Sequence, residues 1–261
     1  LDVNCTGRLH ELIEDRDIAH FIQVAEGLHE KKISLIADQI HERRDEVKVV
    51  LIAGPSSSGK TTFTRRLAIQ LRVLGFNPVI IGLDDYFLPR DATPLDEYGN
   101  PNFEDLHALN IDLLNEHLLA LFDGQEVEIP IFDFQMQRPK EQGTSLQFSN
   151  RSILLMEGIH GLNPGLTPNI PEERKYRVYI SALTQLNLDD HNRISTTDNR
   201  LIRRIVRDHQ FRGNPALGTL NMWHSVRRGE NKNIFPYQNQ ANSAFNSALD
   251  YELSVLKPFV E

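Results

Sequence analysis

The stretch VKVVLIAGPSSSGKTTFTRRLAIQLRVLG, residues 47–75, decides the fold of this chain. Its centre, GPSSSGKT at 54–61, satisfies the pattern GxxxxGK[ST] between an apolar, strand-like run and a helix-like run with leucines three or four apart. A strand, a glycine-rich loop and a helix in this order aim backbone N–H groups and the positive helix end at one point. A Ser/Gly-rich surface turn is the alternative, but the flanking patterns favour a phosphate loop that binds a nucleoside triphosphate.

Residue type sets the chemistry expected within this loop. Gly54 and Gly59 let the backbone turn closely around phosphates, where a Cβ would obstruct. Lys60 is expected to bridge the β and γ phosphates, and the Thr61 hydroxyl is expected to ligate Mg²⁺. The sequence therefore predicts a site for a nucleotide and a magnesium ion at 54–61.

Composition narrows the class of protein. The 261 residues are 40% hydrophobic and carry a net charge of −8, which allows one large α/β core. An acidic balance argues against nucleic acid or an anionic membrane as a partner, and no apolar run reaches the ~18 residues of a membrane span. The single cysteine, Cys5, excludes an internal disulfide and indicates a reducing compartment, so the cytoplasm is the expected location.

Apolar spacing predicts an α/β fold with a largely parallel sheet of about five strands, covered by helices on both faces. Residues 8–45 show helical spacing, and we interpret 1–45 as an N-terminal helical extension ahead of a main domain at 46–261. Helical patterns separate most of the strand signals, including one at 105–121. The predicted strands are 47–53, 78–83, 126–134, 152–157 and 176–182.

Acidic residues follow two of these strands, at the edge where parallel α/β sheets bind ligands. Asp84 and Asp85 stand in LDDYF, where a carboxylate can take a proton from an acceptor hydroxyl that faces the γ-phosphate. Two aspartates that merely start a turn are the alternative. Glu157 ends a strand in LLMEGIHG, where a Mg²⁺-linked role is favoured over capping.

Residues 198–213, DNRLIRRIVRDHQFRG, predict a helix with arginines along one side. Arg200, Arg203, Arg204 and Arg207 lie three or four apart and Arg212 follows, while apolar residues fill the opposite side. Solvated helices ordinarily mix charge signs, so this stripe favours an anionic partner over a plain exposed face. We expect a lid that closes over the triphosphate, excludes water and adds positive charge at the transferring phosphoryl group.

With these elements placed, the chain resembles the uridine kinase and phosphoribulokinase family of P-loop kinases across residues 47–250. The resemblance rests on GPSSSGKTTF, GLDDYF, NFEDLHAL, EIPIFDF, ILLMEGIHGL and the arginine-rich segment, in that order. Residues 181–208 and 225–249 are similar to a branch called uridine kinase-like, or nucleoside kinase. In that branch a threonyl-tRNA-synthetase-like region often precedes the kinase, and the first residue is Leu1 rather than Met, so we expect a fused N-terminal region that is absent from this chain.

The resemblance implies a P-loop NTPase fold with a lid helix and an ATP- and Mg²⁺-dependent kinase. It makes Asp84 the general base toward a sugar 5′-hydroxyl and puts Glu157 in the magnesium shell with Thr61. The implied catalytic residues are Asp84, Lys60, Arg203, Arg204 and Arg207. The implied nucleotide-binding residues are Gly54, Ser56, Ser57, Ser58, Gly59, Lys60, Thr61, Thr62 and Arg200. The implied acceptor-binding residues are Asp84, Tyr86, Glu104, Phe132, Phe134 and Gln137.

Two acceptor positions depart from the pattern of uridine-cytidine kinases. Phe132 stands where those enzymes carry a tyrosine, and Gln137 stands where they carry a histidine. A buried hydrogen bond is worth ~1–3 kcal/mol of discrimination, so the identity of the base stays open. The sequence favours phosphoryl transfer from ATP to the 5′-hydroxyl of a nucleoside such as uridine. The alternatives are a kinase of another small alcohol or sugar phosphate and a nucleotide-sensing module with little turnover, and a homo-oligomer is left open.

Overall fold

A computed structural model describes residues 3–189 and 191–260 of the chain. The described residues form seven α-helices and nine strands. In chain order they are α1 (Thr6–Glu14), α2 (Ile18–Glu42), β1 (Val49–Ala53), α3 (Lys60–Val73), β2 (Asn77–Gly82), α4 (Ile111–Phe122), β3 (Val127–Ile129), β4 (Phe132–Asp133), β5 (Arg138–Pro139), β6 (Thr144–Leu146), β7 (Ser152–Glu157), β8 (Lys175–Ser181), α5 (Thr196–Arg212), α6 (Ala216–Asn233), β9 (Ser243–Asn246) and α7 (Glu252–Leu256).

The central sheet has five parallel strands in the order β2-β7-β1-β8-β9. β1 lies in the middle, where Val49 is in register with Leu154 of β7 on one side and with Lys175 of β8 on the other. The chain fills the β2 and β7 side first and then crosses to the β8 and β9 side. The carboxyl end of β1 is therefore a topological switch point, which is where such sheets bind ligands. The predicted α/β fold is confirmed.

Helices cover both faces of this sheet because alternate strand residues point to opposite sides. On one face Ile40 of α2 and Leu67 of α3 belong to the same buried cluster as Val50 of β1. On the other face Leu114 of α4 belongs to a cluster with Leu51 of β1. The resulting core fixes β1 and α3 rigidly, and with them the loop between the two elements.

Two predicted elements differ in the structure. Residues 126–134 do not form a strand of the central sheet, because β3 pairs with β6 and β4 pairs with β5 in two small antiparallel ribbons. Pro130 lies between β3 and β4 and has no backbone N–H for a continuous ladder. The fifth central strand is β9, whose four residues carry too little apolar sequence to give a strand signal.

Helix boundaries also depart from the apolar spacing. The predicted helix 105–121 begins as α4 at Ile111, where the Asn110 side chain caps the N–H of Leu113. The helical region 8–45 is divided into α1 and α2 at Arg16. The φ of Arg16 is 60°, which is incompatible with a right-handed helix. Among the described residues, no helix combines the length and the apolar character needed to cross a bilayer.

Candidate active site

The phosphate loop connects β1 to α3 at the switch point, and two glycines permit its shape. Gly59 takes a φ of 85° at the N-terminus of α3, a conformation that glycine adopts without cost. Gly54 packs so closely on β8 that a Cβ would lie 2.1 Å from the carbonyl oxygen of Ile180. Backbone geometry therefore requires a glycine at 59, and packing requires a glycine at 54.

Lys60, at the start of α3, lies across the mouth of this loop. Its ammonium donates hydrogen bonds to the carbonyl oxygens of Gly54 and Pro55, at 2.9 and 3.3 Å. Burial lowers the pKa of Lys60, and the nearby carboxylates of Glu157 and Asp84 oppose that change. The lysine thus holds a positive charge between the loop and two acidic side chains.

Thr61 and Glu157 meet across the end of the sheet. The Thr61 hydroxyl donates to Glu157 Oε1 at 2.7 Å, joining the first turn of α3 to the end of β7. Within residues 3–189 and 191–260, no three His, Cys, Asp or Glu side chains converge as a metal cage. A hydroxyl and one carboxylate nevertheless fit Mg²⁺, because this ion commonly takes one or two protein oxygens and completes its shell with water and substrate phosphates.

Asp84 lies beyond the end of β2, in the 3₁₀ turn Leu83–Tyr86, and faces the same space as Lys60. The protein around its carboxyl limits hydration and raises the pKa of Asp84, while the Lys60 ammonium acts in the opposite direction. Both side chains line a cavity of about 270 Å³ in front of the phosphate loop. The residues that line this cavity are Ser56, Ser57, Lys60, Thr61, Gly82, Asp84, Phe87, Phe103, Glu104, Glu157, Gly158, Ile159, Arg204, Arg207, Arg212, Val226 and Glu230.

Glu104 is another of the carboxylates that line the cavity, and it is supplied by the loop before α4. Burial raises its pKa to about 7, although Arg204 opposes the change. Gly229 of α6 packs against it so closely that a Cβ there would lie 2.7 Å from Glu104 Cβ and 2.9 Å from its Oε2. The absence of a side chain at 229 therefore sets the position of this carboxyl.

The arginine segment forms α5, and its side chains reach the phosphate loop. Arg204 Nη1 donates to the Ser56 hydroxyl at 2.7 Å, and Arg203 Nη1 donates to the Ser57 carbonyl at 3.3 Å. Arg207 lies at the cavity and pairs with Asp208 at 2.7 Å. The predicted helix is confirmed, but carboxylates of its own and of neighbouring elements balance the arginines, so the stripe is not the single-sign surface that its spacing suggests.

Arg200 occupies a different place from the other three arginines. Its side chain is buried, and both terminal nitrogens of its guanidinium group donate to the carboxylate of Glu230 on α6. Nη1 also donates to the Ser56 carbonyl oxygen at 3.3 Å. It contacts the loop through the backbone and is not among the residues that line the cavity. The nucleotide-binding role implied for Arg200 stays a prediction.

Four residues implied to bind the acceptor do not line the cavity. Tyr86 is buried and its hydroxyl meets His117 Nδ1 at 3.1 Å, while Phe132 lies in the core beneath the cavity wall. Phe134 is 62% exposed, and Gln137 Oε1 accepts a hydrogen bond from Arg90. Direct contact between these side chains and an acceptor stays a prediction.

Other residues enter the site without having been singled out as ligands. Phe87 and Phe103 form apolar walls, Arg212 extends from the end of α5 toward Asp84, and Glu230 closes the cavity from α6. Phe87 and Phe103 belong to the stretches GLDDYF and NFEDLHAL quoted above. Their position beside acidic residues in the sequence could therefore have identified them as residues of the site. Glu230 had no such signal, because its partner Arg200 is thirty positions away.

Comparisons with known proteins agree with this geometry. Residues 49–254 match the sequence model of the Phosphoribulokinase / Uridine kinase family. Uridine kinase of Bacillus subtilis (strain 168) is 28% identical over 180 residues, which are 69% of this chain and 76% of that protein. Uridine kinase of Macrococcus caseolyticus (strain JCSC5402) is 26% identical over 180 residues, which are 69% of this chain and 78% of that protein.

A solved structure gives the same fold. D-glycerate 3-kinase from Cryptococcus neoformans var. grubii superposes with a TM-score of 0.52 at 16% identity, covering 80% of this chain and 87% of that one. The parallel sheet, the phosphate loop and the cavity in front of it define a P-loop kinase, a phosphotransferase. The chain belongs to the Phosphoribulokinase / Uridine kinase family.

Proposed function

We propose that this protein transfers the γ-phosphoryl group of ATP to the 5′-hydroxyl of a nucleoside such as uridine. The observation that carries the proposal is the placement of Asp84 in one cavity with Lys60 and Thr61 of the phosphate loop. A carboxylate in that position can accept the proton of a hydroxyl that attacks the γ-phosphate. The similarity to uridine kinases supports a nucleoside as the acceptor.

Asp84 acts as the general base. Burial raises the pKa of Asp84, which makes the carboxylate a better proton acceptor than an ordinary aspartate, while the Lys60 charge acts in the opposite direction and favours the ionised form. The proton passes from the acceptor hydroxyl to the Asp84 carboxylate as the oxygen attacks phosphorus. Most of the remaining rate enhancement is positioning, because phosphoryl transfer demands little covalent chemistry from the protein.

The cations at the cavity stabilise negative charge on the transferring group. Lys60, Arg204 and Arg207 lie on the loop side of Asp84, and Arg203 lies over the loop backbone. Thr61 and Glu157 would hold Mg²⁺, which supplies charge neutralisation at the phosphate oxygens when bound. We propose that Arg200 acts through Ser56, by fixing the loop, rather than by direct contact with phosphate.

The acceptor part of the cavity has aromatic walls and one carboxyl. Phe87 and Phe103 face the space, and Phe132 supports both from behind in edge-on contacts, at 5.6 and 6.5 Å between ring centroids. Aromatic faces suit a planar base, and Glu104 can bind a sugar hydroxyl. We propose that Phe132 acts on specificity by positioning these rings.

The experiment that tests the proposal is steady-state ADP release with Mg·ATP against a panel of acceptors. The panel contains uridine, cytidine, adenosine, guanosine, ribulose 5-phosphate and pantothenate. Strong stimulation by one nucleoside, with the phosphate recovered on its 5′-position by NMR, is the expected result. Stimulation by ribulose 5-phosphate or pantothenate alone would replace the acceptor in the proposal, and tight ATP binding without stimulation would support a sensing module instead. An ATP-consuming kinase with a single cysteine suits the cytoplasm, which we propose as its location.

A further inference from the structure

A second cavity, of about 480 Å³, lies at the amino ends of β1, β2 and β7, on the opposite edge of the sheet from the phosphate loop. This space, the amino-edge cavity, is lined by Arg44, Lys48, Phe76 and Arg151 among others. Its walls come from the end of α2, the residues before β1, the turn between α3 and β2, and the start of β7. The length of β7, roughly 17 Å, separates it from Glu157 at the active site.

Three cations line the amino-edge cavity against one carboxylate. The cations are Arg44, Lys48 and Arg151, and the carboxylate is Asp45. In the parts of the chain that the structure describes, none of these cations forms an ion pair with a carboxylate, Asp45 included. His41 adds no charge, because a guanidinium only donates and His41 Nε2, 3.3 Å from Arg44 Nη1, therefore accepts. The cavity carries an excess of two positive charges in a protein of net charge −8.

The sheet fixes the backbone that carries two of these cations. The Lys48 N–H donates to the Arg174 carbonyl oxygen at 2.9 Å, and the Lys48 carbonyl oxygen accepts from the Leu154 N–H at 2.9 Å. The Arg151 carbonyl oxygen accepts from the Asn77 N–H at 2.8 Å. A ligand therefore has to order side chains here, but not the backbone, which lowers the cost of binding.

The ends of α2 and α3 also reach this cavity, and cations commonly neutralise the carbonyl ends of helices. The last carbonyls of α3 already have partners, because the Gly75 N–H donates to Arg72 and the Phe76 N–H donates to Leu71, both at 3.0 Å. Among the described residues, the Lys48 and Arg151 side chains donate to no helix carbonyl. Both cations thus remain available to an anion in the cavity.

One side of the amino-edge cavity is apolar. Val47 is buried, and Leu74 and Phe76 pack against the core cluster formed by α2, α3 and β1. The His41 ring lies edge-on to Phe76, with 5.7 Å between the ring centroids. The volume of the cavity is in the range of small-molecule sites, so it has room for an organic group beside an anion.

We propose that the amino-edge cavity binds a phosphomonoester of a small organic molecule, with its phosphate at the three cations and its organic group against Leu74 and Phe76. A phosphomonoester carries about −1.5 to −2 charges near pH 7, which matches the excess positive charge. Guanidinium groups also bind phosphate oxygens in pairs. The site needs neither ATP nor an acceptor, so it does not depend on the proposed function.

Calorimetry with ribose 5-phosphate tests the role of the cations. Arg151→Gln and Lys48→Gln each remove one cation, while the control Arg72→Gln removes an exposed arginine of α3 that does not line the cavity. We expect the first two variants to weaken binding about tenfold or more and Arg72→Gln to bind like the wild type. No binding to the wild type up to ~10 mM, or an equal loss in all three variants, would overturn the inference.

A second pair of measurements distinguishes this cavity from the phosphate loop, which can also bind a phosphate. Lys60→Ala removes the loop cation and should leave binding at the amino-edge cavity unchanged. In protein with isotope-labelled glycine, ribose 5-phosphate should shift the NMR amide signal of Gly75, which lines the cavity, and Arg151→Gln should abolish that shift. A shift confined to Gly59, or a loss of binding in Lys60→Ala alone, would place the phosphate at the loop and overturn the inference.

Inorganic phosphate and succinate test the class of ligand. Inorganic phosphate should bind more weakly than ribose 5-phosphate, because it has no organic group for the apolar side. Succinate should also bind more weakly, because its two charges lie on separate carbons and cannot meet the three cations at one point. Equal affinity for succinate would overturn the assignment to a phosphomonoester, and equal affinity for inorganic phosphate would overturn the role of the apolar side.

Discussion

Arg200 of α5 and Glu230 of α6 form a two-point ion pair, with Nη1–Oε1 at 2.5 Å and Nη2–Oε2 at 2.8 Å, in which each side chain is only 1% exposed. Ser56 of the phosphate loop lies against both partners, because its N–H donates to Glu230 Oε1 and its carbonyl oxygen accepts from Arg200. The Trp223 ring lies 5.5 Å from the Arg200 guanidinium carbon. One residue of the loop is thus fixed to two helices of the lid region.

Removal of one partner of this pair is expected to destabilise the fold strongly. Glu230→Leu leaves the Arg200 charge buried without its counterpart, which costs about 3–5 kcal/mol of unfolding free energy. Arg200→Met costs less, because Arg227 also pairs with Glu230, at 2.9 Å. The double variant leaves no buried charge without a partner, because Arg227, which also loses Glu230, is partly exposed, and it should recover much of the Glu230→Leu loss. Urea unfolding of the wild type, both single variants and the double variant measures these free energies. Single-variant losses below about 1 kcal/mol would show that the ion pair does not hold the two helices and the loop together.

Asp84→Asn is expected to lower kcat about 10²–10⁴-fold and to leave ATP affinity nearly unchanged, because the amide keeps its size but cannot accept the acceptor proton. Asp85→Asn is the matched control, since Asp85 lies outside the cavity and accepts from the Phe132 N–H, a bond that an amide oxygen can keep. Steady-state rates with the acceptor found in the panel, together with ATP calorimetry, make the comparison. Full turnover in Asp84→Asn would exclude the general-base role.

Gly229→Ala is expected to impair acceptor binding more than ATP binding. A Cβ at 229 would lie within 3 Å of three Glu104 atoms, so the carboxyl must move from its place in the cavity. We expect a higher KM for the acceptor at an unchanged affinity for ATP. Gly27→Ala on α2, where nothing lies within 4 Å of the added Cβ, should leave both constants intact and slightly stabilise the helix. An unchanged acceptor KM in Gly229→Ala would mean that Glu104 does not set acceptor affinity.

The contribution of Glu104 to the stability of the fold is expected to fall as pH rises from about 4.5 to about 7. The pKa of Glu104 is raised from 4.5 to about 7 in the folded protein, so within this window the folded state retains a proton that the unfolded state has released. The contribution of Glu104 to stability therefore decreases with rising pH there and levels off above its folded pKa. Urea unfolding of the wild type and of Glu104→Gln at several pH values measures this contribution. The unfolding free energy of the wild type minus that of Glu104→Gln should decrease as pH rises through the window. A difference independent of pH would assign Glu104 an ordinary pKa.

The local sequence pattern was sufficient to predict the parts of the site that are contiguous in sequence. The run from β1 through the loop to α3 was predicted correctly because its glycines, lysine and apolar spacing specify the backbone within about 30 residues. Asp84 and Glu157 were also predicted to lie near this loop, because the carboxyl ends of parallel strands share one edge of the sheet. The strand at 126–134 was a wrong prediction for the central sheet, since apolar content alone does not say which strands pair.

The sequence by itself determined the phosphate loop and the helical arginine segment, because each depends on contacts between near neighbours along the chain. It also determined the α/β class, because the alternation of apolar strand and helix patterns can be seen in the sequence without knowing which strands pair. Only the tertiary structure decided that Glu230 neutralises Arg200, that Phe87 and Phe103 form the cavity walls, and that β9 completes the sheet. Those outcomes depend on pairings between distant segments. A charge or an aromatic ring has no preferred partner until packing of the core fixes which surfaces meet.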